Sequence, residues 1–302
     1  MRRQLQKGDT PTARSAARLL DTHGELQDVG LLRAFARTYR GRGRLTLLGN
    51  ALAHRVSPRC EVRDLGRVSI NIGGRTVELA SMRRKPAALL MYLATRPGFT
   101  ANREQVLEEL WPDNDPSGAS NSLNQSLYFL RREFDPWYED DLSVDYVALQ
   151  GDLVWLDPRL VRVESVDFLG AAQAALRDRL SGDDTVNLLG GYSGLFAPEF
   201  EYDDWAMSWR SRVHTAFLEL SSRGFGQAIR AGDLATGRDI AVHALEVDPD
   251  NPELEEKLIW LYWHMGARAA ATAQHQHLVA RIQGDGLTPP DLETVVSAPE
   301  PT

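Results

Sequence analysis

A short motif that recurs after 34 residues places the strongest constraint on the second half of the chain. Ala231-Gly232-Asp233 returns as Met265-Gly266-Ala267, so the two glycines stand 34 positions apart. Pro249 and Pro252 lie between the two copies, where a break between repeats is expected. A fixed period of this length is typical of stacked helix pairs, each of which buries its apolar face against the next.

The period of 34 residues is that of tetratricopeptide repeats. Helical spacing of apolar residues begins near Ser165, with Phe168, Leu169 and Ala172 on one face. We therefore predict an all-α, tetratricopeptide-like domain over residues 165–293. The end of the chain is rich in proline from Thr288-Pro-Pro290 onward, and we expect residues 294–302 to be a disordered tail.

Residues 59–158 have a different pattern, in which short apolar strands flank three helical stretches. Gly73-Gly74 and Gly151-Asp152 are typical of hairpin turns, one on each side of the helices. The predicted helices begin at Pro86, after Asn102 and at about Ala119, and the third ends near Phe134. Strands, three helices and a hairpin in this order predict an α+β winged helix-turn-helix domain.

Charge is distributed unevenly along the chain, whose net charge is -8. Residues 1–60 carry 12 Lys and Arg against 4 Asp and Glu, residues 61–158 carry 10 against 16, and residues 159–302 carry 12 against 22. Met1–Pro58 is thus a basic N-terminal extension, which we predict to be weakly ordered or to form short helices. Its first twenty-odd residues look loose, and Tyr39–Arg44 resembles a flexible linker. Such an arm can lie on nucleic acid or be a solvated segment.

Composition excludes several classes of protein. No apolar run approaches the roughly 18 residues of a membrane span, and the single cysteine, Cys60, permits no internal disulfide. We expect a cytoplasmic protein. No nucleophile and base can be paired from their spacing, and His275 and His277 do not share a helix face. We therefore expect neither an enzyme nor a bound metal or cofactor.

The third predicted helix has two chemically distinct faces. Leu123, Leu127 and Phe134 fall on one side at 100° per residue and predict its core face. The remaining surface carries amide, phenol and guanidinium groups, which can pair with base edges in the major groove of DNA. The base-reading candidates are Asn121, Asn124, Gln125, Tyr128 and Arg132. The alternative is a polar helix face without a ligand.

Contacts to DNA phosphates would come from basic side chains around this helix. The candidates are Arg83, Arg84, Lys85, Arg103 and Arg131. A charged triplet such as Arg83–Lys85 is equally typical of a solvated helix start. The predicted wing tip, Gln150-Gly-Asp152, has no Lys or Arg, which weakens a role for the wing in DNA binding.

Taken together, these residues resemble a known family. The stretch from Glu61 to about Asp157 resembles the OmpR-like winged helix, and Asn121 to Arg132 is similar to that family's recognition helix. The region from Ser165 to about Glu293 is similar to the bacterial transcriptional activation domain, with Gly194-Leu-Phe-Ala-Pro198 as one landmark. Together they resemble the antibiotic regulatory proteins of actinomycetes.

The resemblance implies a transcriptional activator that binds double-stranded DNA at promoter repeats and recruits RNA polymerase holoenzyme. It also implies a possible homodimer. By analogy the loop after the second helix would face polymerase, with Trp111, Asp113, Asn114 and Asp115 as its candidate residues. The alternative function is a protein interaction module whose winged helix has lost DNA binding, because residues 61–158 are net acidic.

Overall fold

A computed structural model describes residues 1–5, 10–38, 48–135, 138, 144–178, 181–284, 286 and 288–299. The chain divides into two compact units. The first unit comprises Met1–Arg63 and Ser69–Val163, and the second comprises Asp64–Val68 and Glu164–Thr302. Each unit is described by itself below.

The first unit begins with an N-terminal bundle of helices. These are α1 (Arg2–Leu5), α2 (Pro11–His23), α3 (Leu26–Thr38) and α4 (Asn50–Val56). Their buried apolar side chains include Leu20, Val29, Leu32, Phe35 and Leu52. Burial of these side chains against one another is what makes the short helices stable, since isolated helices of this length are marginal in water.

Helix α2 corrects the expectation that the first twenty-odd residues are loose. Thr10 caps the helix by accepting a hydrogen bond from the Ala13 amide at 3.1 Å, and Pro11 occupies the first turn. Ala13, Ala16 and Ala17 are buried. A search for large apolar residues misses this stripe, because alanine allows close helix packing without a bulky side chain. The predicted linker Tyr39–Arg44 lies outside the described residues.

The described residues of the first unit also form seven strands, in two sheets. They are β1 (Cys60–Arg63), β2 (Ser69–Ile72), β3 (Arg75–Glu78), β4 (Thr100–Asn102), β5 (Val147–Gln150), β6 (Leu153–Leu156) and β7 (Val161–Val163). The first sheet has the order β3-β2-β1-β7, with Cys60 opposite Ile72 and Val161, and the second has the order β4-β6-β5. Gly73 and Gly74 both have positive φ, as a two-residue hairpin turn requires.

Three helices lie between these strands: α5 (Arg84–Ala94), α6 (Arg103–Leu110) and α7 (Pro116–Phe134). Helix α5 is buried from Pro86 to Ala94 and forms the centre of the core. Asn102 caps α6 in a reciprocal capping box with Gln105. Three helices followed by the β5–β6 hairpin give the arrangement predicted for a winged helix.

The second unit contains seven helices over its described residues. They are α8 (Glu164–Arg177), α9 (Gly182–Leu189), α10 (Asp204–Arg230), α11 (Leu234–Val247), α12 (Pro252–His264), α13 (Arg268–Gly284) and α14 (Leu292–Ser297). Short 3₁₀ turns occur elsewhere in the chain, at Leu79–Ser81, Pro97–Phe99 and Pro198–Phe200. The chain is therefore a mixed α/β fold with small sheets and a helical second unit.

The repeated glycines form two equivalent turns. Gly232 follows α10 with φ 74° and Gly266 follows α12 with φ 80°. The amide of Asp233 donates to the Ala228 carbonyl, and that of Ala267 donates to the Tyr262 carbonyl, again 34 residues later. Because only glycine adopts this left-handed conformation at little cost, the motif marks the end of a helix in each copy.

Helix α14 overturns part of the disordered tail predicted for residues 294–302. Val295 is buried in a cluster with Ile259, Ala271 and Leu278. The Trp260 indole N–H donates to the Ala298 carbonyl at 3.2 Å. The proline-rich composition concealed a short apolar pattern, which packs against α12 and α13. Residues 300–302 lie outside the described part of the chain.

Candidate nucleic-acid interface

Helix α7 buries one face and exposes the other. Its buried side chains are Ala119, Leu123, Ser126, Leu127, Leu130 and Phe134. All five base-reading candidates are exposed in the structure: Asn121, Asn124, Gln125, Tyr128 and Arg132. The angular prediction of the core face and the outer face is therefore reproduced by the fold.

The amide side chains on the outer face of α7 are not engaged in hydrogen bonds within the described structure. No hydrogen bond joins the side chains of Asn121, Asn124 or Gln125 to another residue that the structure describes. The ring of Tyr128 is 43% exposed and contacts the ring of Tyr138 edge-on, with 5.8 Å between centroids. The Arg132 guanidinium lies 6.0 Å from the centre of the Tyr128 ring. The amides can therefore meet a ligand without first breaking internal hydrogen bonds.

The loop before α7 differs from the expectation in two positions. Trp111 is only 6% exposed, so it supports the loop from inside and does not present its side chain to a partner. Asp115 caps α7 by accepting hydrogen bonds from the amides of Ser117 and Gly118. A hydrogen bond from the Ser117 hydroxyl, followed by the backbone bonds, lowers the pKa of Asp115. Asp113 and Asn114 are exposed.

The basic triplet at the start of α5 lines a shallow cavity beside α7. The guanidinium of Arg83 lies 4.0 Å above the Phe129 ring, and Lys85 donates to the Leu110 carbonyl and lies 5.8 Å from the Trp111 ring. The cavity has a volume of about 290 Å³. It is lined by Arg83, Arg84, Lys85, Pro86, Trp111, Ser122, Gln125, Ser126 and Phe129. A cationic rim thus adjoins a base-reading candidate, Gln125.

The other two phosphate candidates hold α7 in place. Arg103 donates from Nη2 to the Ser120 hydroxyl at 2.7 Å, which joins α6 to α7. Arg131 donates from Nε to the Val147 carbonyl at 3.0 Å, which joins α7 to β5. Neither contact could be predicted from the sequence, since nothing local indicates that Ser120 and Val147 are neighbours of these arginines. Phe129 was also not predicted, although its spacing of four residues from Gln125 was an available signal.

The wing has a polar tip and an apolar edge. Gln150, Gly151 and Asp152 are exposed at the turn between β5 and β6, without a basic side chain among them. Leu153, the first residue of β6, is 49% exposed. The tip therefore offers no cation to a phosphate.

Four aromatic residues and histidines of the second unit that stood out in the sequence form contacts within that unit. Trp205 is buried, and Trp263 is half-buried beneath the guanidinium of Arg268, 3.5 Å from its ring centre. His275 contacts the Pro290 carbonyl and His277 contacts a carboxylate oxygen of Glu255. Within the described ranges, no three His, Cys, Asp or Glu side chains are grouped to hold a metal ion.

No known protein family matches the sequence, and no curated protein matches it. A solved structure does. The fold is similar to that of Mycobacterium tuberculosis EmbR, whose structure was determined in complex with a low-affinity phosphopeptide. The TM-score is 0.56 at 16% sequence identity, over 79% of this chain and 64% of the EmbR chain. This chain therefore spans less than two thirds of EmbR, and at this identity the similarity establishes the fold alone.

The similarity to EmbR extends over most of the chain and is not limited to one short motif. Across the described residues, no helix has both the length and the apolar character needed to cross a bilayer.

Proposed function

We propose that this protein is a sequence-specific DNA-binding transcriptional regulator that reads its site with α7. The observation that supports the proposal most is the outer face of α7, where Asn121, Gln125 and Arg132 are exposed opposite a buried face that is apolar apart from Ser126. The resemblance of the sequence to actinomycete activators supports the same function, and so does the fold that it has in common with EmbR.

The side chains on α7 match the hydrogen-bonding edges of the major groove. Amide groups such as those of Asn121 and Gln125 pair with adenine through two hydrogen bonds, and Arg132 can pair with guanine in the same way. Tyr128 can contact a thymine methyl group or donate to a phosphate. We expect a site that combines adenine and guanine contacts within about one helical turn.

Phosphate contacts would fix the register of α7 on the duplex. Arg83, Arg84 and Lys85 lie on the rim of the cavity beside Gln125, which is the position from which a cation can hold the backbone next to a base contact. In this proposal Arg103 and Arg131 act indirectly, because their hydrogen bonds to Ser120 and Val147 orient α7.

We further propose that the protein activates transcription by contacting RNA polymerase through the exposed loop residues Asp113 and Asn114. The helix pairs α10–α11 and α12–α13 would then be a tetratricopeptide-like scaffold for protein contacts, including a second copy of the chain. Alanine at both loop positions should leave DNA affinity unchanged and lower transcript yield in a reconstituted transcription assay.

A protein-docking function is the second candidate. It is favoured by the wing tip, which lacks cations, and by the excess of acidic residues over residues 61–158. A protein-docking function predicts that the purified protein selects no motif from a pool of genomic DNA fragments.

Selection from genomic fragments at about 150 mM salt tests the proposal. Wild type should enrich a short motif, and the Asn121→Ala/Gln125→Ala/Arg132→Ala variant should not. The matched control replaces exposed residues of the same types in the second unit, Asn187→Ala/Gln276→Ala/Arg177→Ala, and should select as wild type does. Equal enrichment by all three proteins would contradict the role of α7. No enrichment by wild type would favour the docking function.

A further inference from the structure

The segment that joins α9 to α10 exposes several large apolar side chains. Tyr202 is 91% exposed, Leu195 is 41% exposed, and Met207, in the first turn of α10, is 54% exposed. Pro198 is exposed as well. We call Leu195, Pro198, Tyr202 and Met207 the apolar patch. A single exposed apolar side chain is ordinary, whereas several exposed together mark a surface that contacts another molecule.

One arginine side chain holds the members of the apolar patch near one another. The Arg210 guanidinium, on α10, donates to four carbonyls at 2.9 to 3.1 Å: those of Phe196, Ala197, Phe200 and Glu201. Leu195 and Tyr202 directly adjoin the first and the last of these residues in the chain. Met207 lies three residues before Arg210, on the same side of α10. The apolar patch is therefore one surface and not four separate positions.

Further hydrogen bonds fix the backbone of the same segment. The Gly66 amide donates to the Leu195 carbonyl at 2.9 Å, and the Ala197 amide donates to the Asp64 carbonyl at 2.7 Å. Ala197 has a φ of 40°, a left-handed conformation that a residue other than glycine keeps only when its surroundings impose it. The apolar patch is thus presented on backbone that is already ordered, which lowers the entropy cost of binding a partner.

The charges around the apolar patch are mainly negative. Residues 195–208 contain no Lys, Arg or His and four acidic residues: Glu199, Glu201, Asp203 and Asp204. Two arginines adjoin or contact this segment, Arg67 and Arg210, so an excess of acidic groups remains. Glu201 and Asp204 are exposed, and no ion pair or hydrogen bond joins either side chain to another residue that the structure describes. These two carboxylates can therefore pair with cations of a partner.

From this arrangement we infer that the apolar patch is a docking site for a basic polypeptide segment of another protein, one that combines apolar side chains with Lys or Arg. Tyr202 and Met207 would be buried against its apolar side chains, since aromatic residues and methionine are typical of the centres of protein interfaces. Glu201 and Asp204 at the edge would select its charge. The inference goes beyond the proposed function and does not depend on DNA binding by α7.

Peptide selection with the full chain tests the apolar part of the site. From a display library of random peptides, wild type should enrich sequences that combine Lys or Arg with large apolar residues. The Tyr202→Ser/Met207→Ser variant should bind the enriched peptides about 10-fold more weakly or worse. The control, Leu19→Ser/Met265→Ser, removes two exposed apolar side chains elsewhere and should bind as wild type does. Because all four side chains are exposed, thermal melting should show that every variant folds.

Charge reversal tests the choice of partner. Glu201→Lys/Asp204→Lys should lose the basic peptides and enrich acidic ones. Glu219→Lys/Asp250→Lys changes the net charge equally at exposed positions outside the segment and should keep the preference of wild type. All these variants should still select DNA as wild type does, so the result is independent of the proposed function.

Three outcomes would overturn the inference. The first is that wild type enriches no peptide, and the second is that binding of the enriched peptides is the same in wild type and in the variants of the patch and its edge. The third is a dimer of the wild-type chain in sedimentation that the Tyr202→Ser/Met207→Ser variant does not form, since a second copy would then cover the apolar patch.

Discussion

The outer face of α7, in the first unit, and the interior of the second unit use their polar side chains in opposite ways. On the outer face of α7, the side chains of Asn121 and Gln125 form no hydrogen bonds with other described residues. In the second unit, Asp64 and Glu255 are fully buried and each accepts several hydrogen bonds. Polar groups left open are available to a ligand, whereas polar groups satisfied internally fix the packing of helices. The contrast separates the surface on which we propose ligand binding from the interior contacts that hold helices together.

Glu255 shows how the second unit satisfies a buried charge. It accepts hydrogen bonds from Gln274 at 3.0 Å and His277 at 2.7 Å, and it pairs with Arg281. All three partners lie on α13, while Glu255 lies on α12. One carboxylate therefore fixes the register between two helices.

Removal of the Glu255 carboxylate should cause the largest loss of stability among the changes that we predict. Glu255→Ala should lower the free energy of unfolding by about 3–5 kcal/mol, because Arg281 is left as a poorly solvated charge without its partner. Chemical denaturation followed by the fluorescence of Trp260 and Trp263 measures the change. The control, Gln276→Ala on the exposed side of α13, should change it by less than about 0.5 kcal/mol. A small effect at Glu255 would mean that the network does not hold α12 to α13.

Asp64 should make the stability of the second unit depend on pH. Its carboxylate accepts hydrogen bonds from the amide and the hydroxyl of Ser165 at 2.8 and 2.7 Å. Burial raises the pKa of Asp64 to about 7, against the opposing effect of these bonds. Because the folded state favours the protonated acid, the corresponding stability is full below about pH 4 and is lost as the pH rises through about 7.

Asp64→Asn, which mimics the protonated acid, should therefore be more stable than wild type at pH 8, by on the order of 3 kcal/mol. The two proteins should be nearly equal at about pH 4. Denaturation curves at both pH values give the difference, with the exposed Asp250→Asn as the control. The prediction fails if the difference between wild type and Asp64→Asn is the same at both pH values.

The outer face of α7 should behave in the opposite manner. Arg132→Ala should leave the free energy of unfolding unchanged within about 0.5 kcal/mol, because the side chain is exposed. It should weaken binding to the selected motif by about 1–3 kcal/mol and relax the preference at one base pair. Fluorescence anisotropy with matched and single-mismatch duplexes measures both. Loss of stability without loss of specificity would remove the contrast between the units.

Local patterns were sufficient for several elements. The period of 3.6 residues identified both faces of α7, and the spacing of Gly232 and Gly266 identified two helix ends with left-handed glycines. Gly73-Gly74 identified the β2–β3 turn. Each of these signals lies within a few residues of the feature that it predicts, so sequence periodicity and turn chemistry contain the information.

Other elements depend on partners that are distant in the sequence. The small side chains of α2 and the short apolar pattern of α14 are marginal alone, and burial against other helices stabilises them. The same holds for single residues. Arg103 and Arg131 were predicted as phosphate ligands from their charge, yet the structure joins them to Ser120 and Val147.

By itself the sequence determined which residues of α7 form its core face, where the repeated turns fall, and that a basic extension precedes acidic segments. Only the tertiary structure decided that Trp111 is buried, that Asp64 and Glu255 accept hydrogen bonds in the interior, and that Asp28 is buried and paired with Arg2. The physical reason is that helix faces and turns follow from neighbouring residues. Burial and the pairing of charges follow from contacts between residues far apart in the chain, whose positions the fold alone brings together.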